Sequence, residues 1–235
     1  MLGVLGGMGP VATADFYVKL LAATPATCDE DHIPVLIHSV PQIPSRPAAI
    51  LRDGESPLSA LLAARDLLLN AGASMLAMPC NTAHHWYADL VRGLGVPFPH
   101  IADAVAFDIA PDARRIGIIA TAATLAAGIY AQRCDPRIEW LAPAQAEFER
   151  AVQPGIDAVK CNAAADGGRL LEPVVAGLLE RGARCVVLAC TEIPVALDAI
   201  ASPLRVHCID STAALARTCV RLWRDQAANA VRPNL

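Results

Sequence analysis

LNAGASMLAMPCNT (Leu69–Thr82) and LERGARCVVLACTE (Leu179–Glu192) align without a gap, matching Leu, Gly-Ala and Cys at a constant separation of 110 residues. A second pair, LGVLGGMG (Leu2–Gly9) and IGIIATAA (Ile116–Ala123), repeats at a separation of 114. The chain therefore carries two copies of one unit. In each copy an aliphatic helix ends at a glycine, Gly72 or Gly182, suited to the left-handed backbone that closes a helix. A short apolar strand follows, and a cysteine, Cys80 or Cys190, stands just past its carboxyl end. Open α/β sheets place their ligands there. If the copies face each other about an approximate two-fold axis, the two cysteines approach one cleft from opposite sides.

Outward from these stretches, short aliphatic runs alternate with helical patterns. Strands are expected at Leu2–Leu5, Val35–Ser39, Met75–Met78, Arg115–Ala120, Ile138–Leu141, Cys185–Ala189 and Val206–Ile209. Most are apolar throughout, as parallel strands covered on both faces should be. Helices are expected at Val11–Leu21, Pro57–Ala71, Thr82–Arg92, Thr124–Arg133, Pro143–Gln153, Leu170–Arg181 and from Ser211 to about Ala228. The fold class is α/β, with parallel sheets flanked by helices. The domain change is expected near Ala104–Asp112, giving a first domain over residues 1–103 and a second over 104–209. A C-terminal helix, 210–235, comes too late for the second copy and is expected to return to the first.

Composition narrows the function classes. The chain has 235 residues, 54% of them apolar, 18% charged and 4% aromatic, which excludes a disordered or collagen-like polypeptide. Nineteen basic against 23 acidic side chains give a formal charge of -4, and no basic run exists to hold a phosphate backbone, so a nucleic-acid partner is not expected. No stretch reaches the roughly 20 uncharged apolar residues of a membrane helix. The opening MLGVLGGMGPVATADF lacks a basic n-region and reads as a strand rather than a signal peptide. A cytoplasmic protein with reduced thiols is the expectation. The eight cysteines form no CxxC pair and no zinc-type spacing, so neither a redox dithiol nor a metal site is expected.

Cys80 and Cys190 carry the chemistry. A thiol at a helix N-terminus is expected to ionise more easily than its usual pKa of about 8.5, because exposed N–H groups favour the thiolate. Two opposed thiols, one ionised and one protonated, can take a proton from one face of a carbon and return one to the other. That suits racemisation or epimerisation. Asn81, Thr82, Thr191 and Glu192 follow the cysteines directly, placed to cap the next helix or bind a ligand. His84 and His85 could tune a thiolate. GGMGP (Gly6–Pro10) is a glycine-rich turn but not GxGxxG, so nucleotide binding is weakly supported.

GGMGP, PQIPSR (Pro41–Arg46), MPCNTAHHWY (Met78–Tyr87) and ACTEIP (Ala189–Pro194) together resemble the cofactor-independent aspartate/glutamate racemases, and more closely the aspartate racemase branch. The resemblance runs from the first strand to at least Ile209. It implies two flavodoxin-like domains related by pseudo-two-fold symmetry, an active site between them, a homodimer, and catalysis without pyridoxal phosphate or metal. The two acid/base thiols would be Cys80 and Cys190, and the partner a dicarboxylic amino acid. On the same grounds Arg46 resembles the arginine that holds a substrate carboxylate and Lys160 its cationic counterpart, although Lys160 could equally be a solvated helix residue. Gln42 would add an amide, and Gly7 and Met8 would present backbone. Thr121 and Thr124 resemble ligand-side threonines, with a helix N-cap as the plain alternative for Thr124.

Three positions depart from the family pattern. Ser45 replaces an acid beside Arg46 that could orient it, Val40 an amide, and Ala189 a glycine. Substrate choice is thereby opened to glutamate, a broader amino-acid set or a non-amino-acid dicarboxylate. A non-catalytic dicarboxylate-binding protein would suit the same cleft. Relatives that decarboxylate malonates keep one of the two thiols, so the presence of both favours racemisation.

Overall fold

The apolar runs form the parallel strands of two sheets, with Leu2–Gly6 central in one and Arg115–Ala120 and Val186–Ala189 central in the other. The structure is a computed structural model that describes residues 1–230. The first half runs β1 (Leu2–Gly6), α1 (Pro10–Ala23), β2 (Val35–Ser39), α2 (Arg46–Leu51), α3 (Leu58–Asn70), β3 (Met75–Ala77), α4 (Tyr87–Val91) and α5 (Ile101–Asp108). The second runs β4 (Arg115–Ala120), α6 (Ala122–Ala126), β5 (Glu139–Leu141), α7 (Gln145–Glu147), α8 (Gln153–Lys160), α9 (Ala164–Glu180), β6 (Val186–Ala189), α10 (Glu192–Ala199), β7 (Cys208–Asp210) and α11 (Ser211–Ala230). The sheets have orders β2-β1-β3 and β5-β4-β6-β7, all parallel. This is the expected two-domain α/β architecture.

The repeat is a repeat of hydrogen bonds. At the end of α3, Gly72 N–H donates to Leu69 O and Ala73 N–H to Leu68 O; at the end of α9, Gly182 donates to Leu179 O and Ala183 to Leu178 O. Both glycines have φ +91°, so the same left-handed cap turns the chain into β3 in one copy and β6 in the other. Each sheet then buries both faces. Leu2 and Val4 pack with Phe16, Leu20, Leu215 and Cys219, while Leu5 packs with Leu61, Leu68 and Met78 on the other side. In the second domain Ile118 and Val187 meet Val105 and Tyr130, and Ile119 and Leu188 meet Leu171, Val175 and Ile193. Two helices serve both domains. Ile101 of α5 lies in the first core and Val105 in the second; Leu215 and Ala214 of α11 divide in the same way. α11 packs on α1 and α5, while residues 231–235 of the expected C-terminal helix lie outside the described residues.

Several helices differ from expectation for local reasons. Thr82–Arg92 is not one α-helix but a five-residue 3-10 turn, Thr82–Trp86, followed by α4. An α-helix would bond His84 N–H to Cys80 O, but that N–H goes to Asn81 O and the His84 ring takes the Cys80 carbonyl instead. The helix expected over Thr124–Arg133 starts at Ala122, because Thr121 caps it, and stops before Gly128 at φ +62°. Pro143–Gln153 extends through a π turn at Phe148–Val152 to Lys160; the wider turn accommodates the missing N–H of Pro154. α2 and α5 were absent from the expected helices, α10 is the helix expected without bounds after Cys190, and α5 runs through the region where the domain change was expected.

Candidate active site

The two strand-end cysteines come together. Cys80, two residues beyond Met78, and Cys190, next after Ala189, line one cavity of about 50 Å³ with Met8, Arg46, Pro47, Asn81, Thr82, Thr121, Lys160, Thr191 and Glu192. Both thiols are nearly inaccessible. Among the described residues no three His, Cys, Asp or Glu side chains cluster as a metal site.

Arg46 enters at the N-terminus of α2. Ser45 caps that helix by accepting the Ala48 N–H, and Arg46 Nη1 donates to Ile43 O at 2.9 Å and Pro44 O at 3.0 Å. Two carbonyls thus orient the guanidinium where an acid at position 45 would otherwise do so. Its Nε is buried without a protein partner, a donor left over for a ligand. Lys160 ends α8 at the rim, half exposed and 3.1 Å from Asp157. Burial opposes its charge, but the bond to Asp157, with Cys190 and Glu192 nearby, holds the ammonium above its ordinary pKa.

The two thiols have opposite neighbours. Burial pushes the Cys80 thiol up, while the Arg46 guanidinium and the Ala83 N–H pull it back. Burial pushes the Cys190 thiol well above its ordinary pKa, and the Glu192 carboxylate acts the same way against the opposing charge of Lys160. Cys190 Sγ donates to Glu192 Oε2 at 3.0 Å, and Thr191 Oγ1 donates to the same oxygen at 3.2 Å. The sequence-based expectation of easily ionised thiols is therefore corrected. Desolvation outweighs the helix-end effect, and at Cys80 the following turn is too short and too tight to form an aligned macrodipole.

A polar floor joins the domains beneath the thiols. Thr82 Oγ1 lies 3.1 Å from Thr121 Oγ1 and 2.8 Å from Thr124 Oγ1. Tyr130 Oη donates to Asn81 Oδ1, Asn81 Nδ2 donates to Ser211 Oγ at 3.0 Å, and Ser211 Oγ donates to Leu188 O at 2.8 Å. The Asn81 and Thr82 side chains are thus engaged across the domain interface. Three expected site residues do not line the cavity. Gln42 is exposed in the turn after β2. Thr124 lies under Thr121 and is not the cap of α6; its N–H donates to Thr121 Oγ1. Gly7 N–H donates to Thr13 Oγ1, and a Cβ there would stand 2.2 Å from Val40 N, so this glycine lets two loops approach rather than a ligand.

Sequence reasoning missed Pro47, Tyr130 and Ser211. Tyr130 carries a faint signal, a phenol inside an otherwise apolar stretch in a chain poor in aromatics. Pro47 carries none.

The sequence matches the Asp/Glu/Hydantoin racemase family over residues 5–219. The chain belongs to that family. Among solved structures it is similar to the aspartate racemase of Picrophilus torridus, with a TM-score of 0.83 and 32% identity, covering 94% of this chain and 93% of the other. It is similar to the glutamate racemase of Thermus thermophilus with a TM-score of 0.64 and 25% identity, over 96% and 81%. By sequence it is 27% identical over 229 residues to the broad specificity amino-acid racemase RacX of Bacillus subtilis, covering 95% of this chain and 98% of that one. The chain is an isomerase of the racemase type.

Proposed function

We propose that this racemase interconverts L- and D-aspartate by a two-base proton transfer between Cys80 and Cys190, without pyridoxal phosphate or metal. The observation that carries the reading is that two thiols, contributed by equivalent positions of the two repeats, line one cavity with Arg46 and Lys160. A thiolate on one face takes the Cα proton and becomes a thiol, and the electron pair left on Cα spreads into the carboxylate. The opposite thiol donates its proton to the other face and becomes the thiolate. The enantiomer is then converted, and proton exchange with solvent resets the pair.

Arg46 is the cation beside Cys80 and favours its thiolate; the Glu192 carboxylate accepts from Cys190 and favours its thiol. Arg46 and Lys160 also supply positive charge for two carboxylates, in a cleft where fixed donors act strongly because water is scarce. A broad amino-acid range is the second reading, favoured by the full-length similarity to RacX. A cytoplasmic homodimer, and a first domain over residues 1–103 that regains the final helix, belong to the same proposal. The packing of α11 on α1 supports the last point.

Replacement tests the chemistry. Cys80→Ala and Cys190→Ala are each expected to abolish racemisation of both enantiomers in a folded protein, because each direction needs both thiols. Wild-type turnover in either variant contradicts the two-base account.

A further inference from the structure

His84 lies under Cys80, wholly buried and absent from the cavity lining. Its Nδ1 is 2.9 Å from the Cys80 carbonyl oxygen, and its Nε2 is 3.2 Å from the backbone nitrogen of Ile101, the first residue of α5. A carbonyl only accepts and a backbone N–H only donates. The ring must therefore carry its proton on Nδ1 and present a lone pair at Nε2. Burial keeps it neutral, lowering its pKa to about 4, with Arg133 acting in the same sense.

Neighbours remove the ring's freedom to turn. Tyr87 stacks on it at 5.9 Å with an interplanar angle of 18°, and His100 meets it edge-on at 4.5 Å. Tyr87 is held by its bond to Phe98 O, and His100 by accepting the Ala102 N–H. α5 itself is seated in both hydrophobic cores. The ring is a strut between a strand-end carbonyl and a fixed helix.

The second repeat shows what the strut replaces. There the Cys190 carbonyl accepts the Ile193 N–H as the chain enters α10. At Cys80 the chain enters a 3-10 turn, and the His84 ring takes the carbonyl.

We propose that His84 is a positioning residue for Cys80, pinning its carbonyl to the start of α5 and so setting the reach of its thiol into the cleft. The inference rests on the reading of Cys80 as one of the two acid/base thiols. Displacing a reacting group by about 1 Å can cost on the order of 10²-fold in rate.

Two amides separate the ring's two bonds. Asparagine places an N–H near the Nδ1 position, whereas glutamine places its amide near Nε2. His84→Asn, which keeps the carbonyl bond but loses the tie to α5, is expected to retain more kcat for aspartate than His84→Gln and His84→Ala, which lose about 10- to 100-fold in kcat with KM little changed. Denaturation midpoints fall for all three, since each breaks the buried stack. If kcat instead follows the midpoints without regard to side chain, or stays at the wild-type level in folded His84→Gln and His84→Ala, the proposal is overturned. Should the variants fail to fold, nitrogen NMR of the wild-type chain labelled at histidine decides: an Nδ1–H tautomer at neutral pH supports the strut and an Nε2–H tautomer overturns it. Absence of racemisation by the unaltered chain would defeat the underlying reading of Cys80, and the tautomer would still test the strut.

Discussion

In the proposed reaction Arg46 serves both binding and proton transfer. Its Nη1 is fixed by two backbone carbonyls, its Nε has no protein partner, and its charge is the main influence opposing the desolvation of Cys80. On that proposal, removing it takes away a charge-assisted carboxylate contact of about 1.5–3 kcal/mol. Arg46→Ala is therefore expected to raise KM for aspartate by about 10- to 100-fold. The same change removes the cation that favours the thiolate, so the pH midpoint for alkylation of Cys80 should move upward, as followed by mass spectrometry of its peptide. An unchanged KM with an unmoved midpoint would mean that Arg46 does neither task. The two thiols were legible from the repeat, whereas Arg46, Lys160 and Thr121 were legible only through the resemblance to the racemase family. Their division of labour was not, because it depends on which polar atoms the fold already occupies. Asn81 and Thr82 read as ligand contacts and do line the cavity, but their side chains also bridge the domains.

At the scale of elements, the α3–β3 and α9–β6 junctions were readable from Gly72 and Gly182 because a left-handed cap strongly favours glycine. Gly72→Ala isolates that preference, since the added methyl would meet nothing nearer than Met1 Cε at 3.9 Å. It is expected to destabilise the fold by about 1–2 kcal/mol, the cost of a left-handed alanine. Urea titration provides the measure, and an unchanged or raised midpoint would contradict the cap. Elements whose ends depend on distant partners were less legible. Nothing local to Thr82–Arg92 indicates that the His84 side chain will compete for the carbonyl that an α-helix needs. α5 was not legible as a helix, and its apolar residues are shared between two cores, so neither core alone accounts for its pattern.

For the molecule as a whole, duplication supplies what a single unit lacks, a second thiol lining the same cavity. The strands end toward one cleft, the polar floor ties the domains together beneath it, and α5 and α11 contribute to both cores. The most direct test is to incubate each enantiomer of aspartate in D₂O and follow deuterium at Cα separately in product and recovered substrate at early times. The two-thiol account predicts that deuterium enters the newly formed enantiomer first, because a different acid serves each face, while recovered substrate retains protium. Deuterium appearing equally fast in both, or in neither, would contradict it.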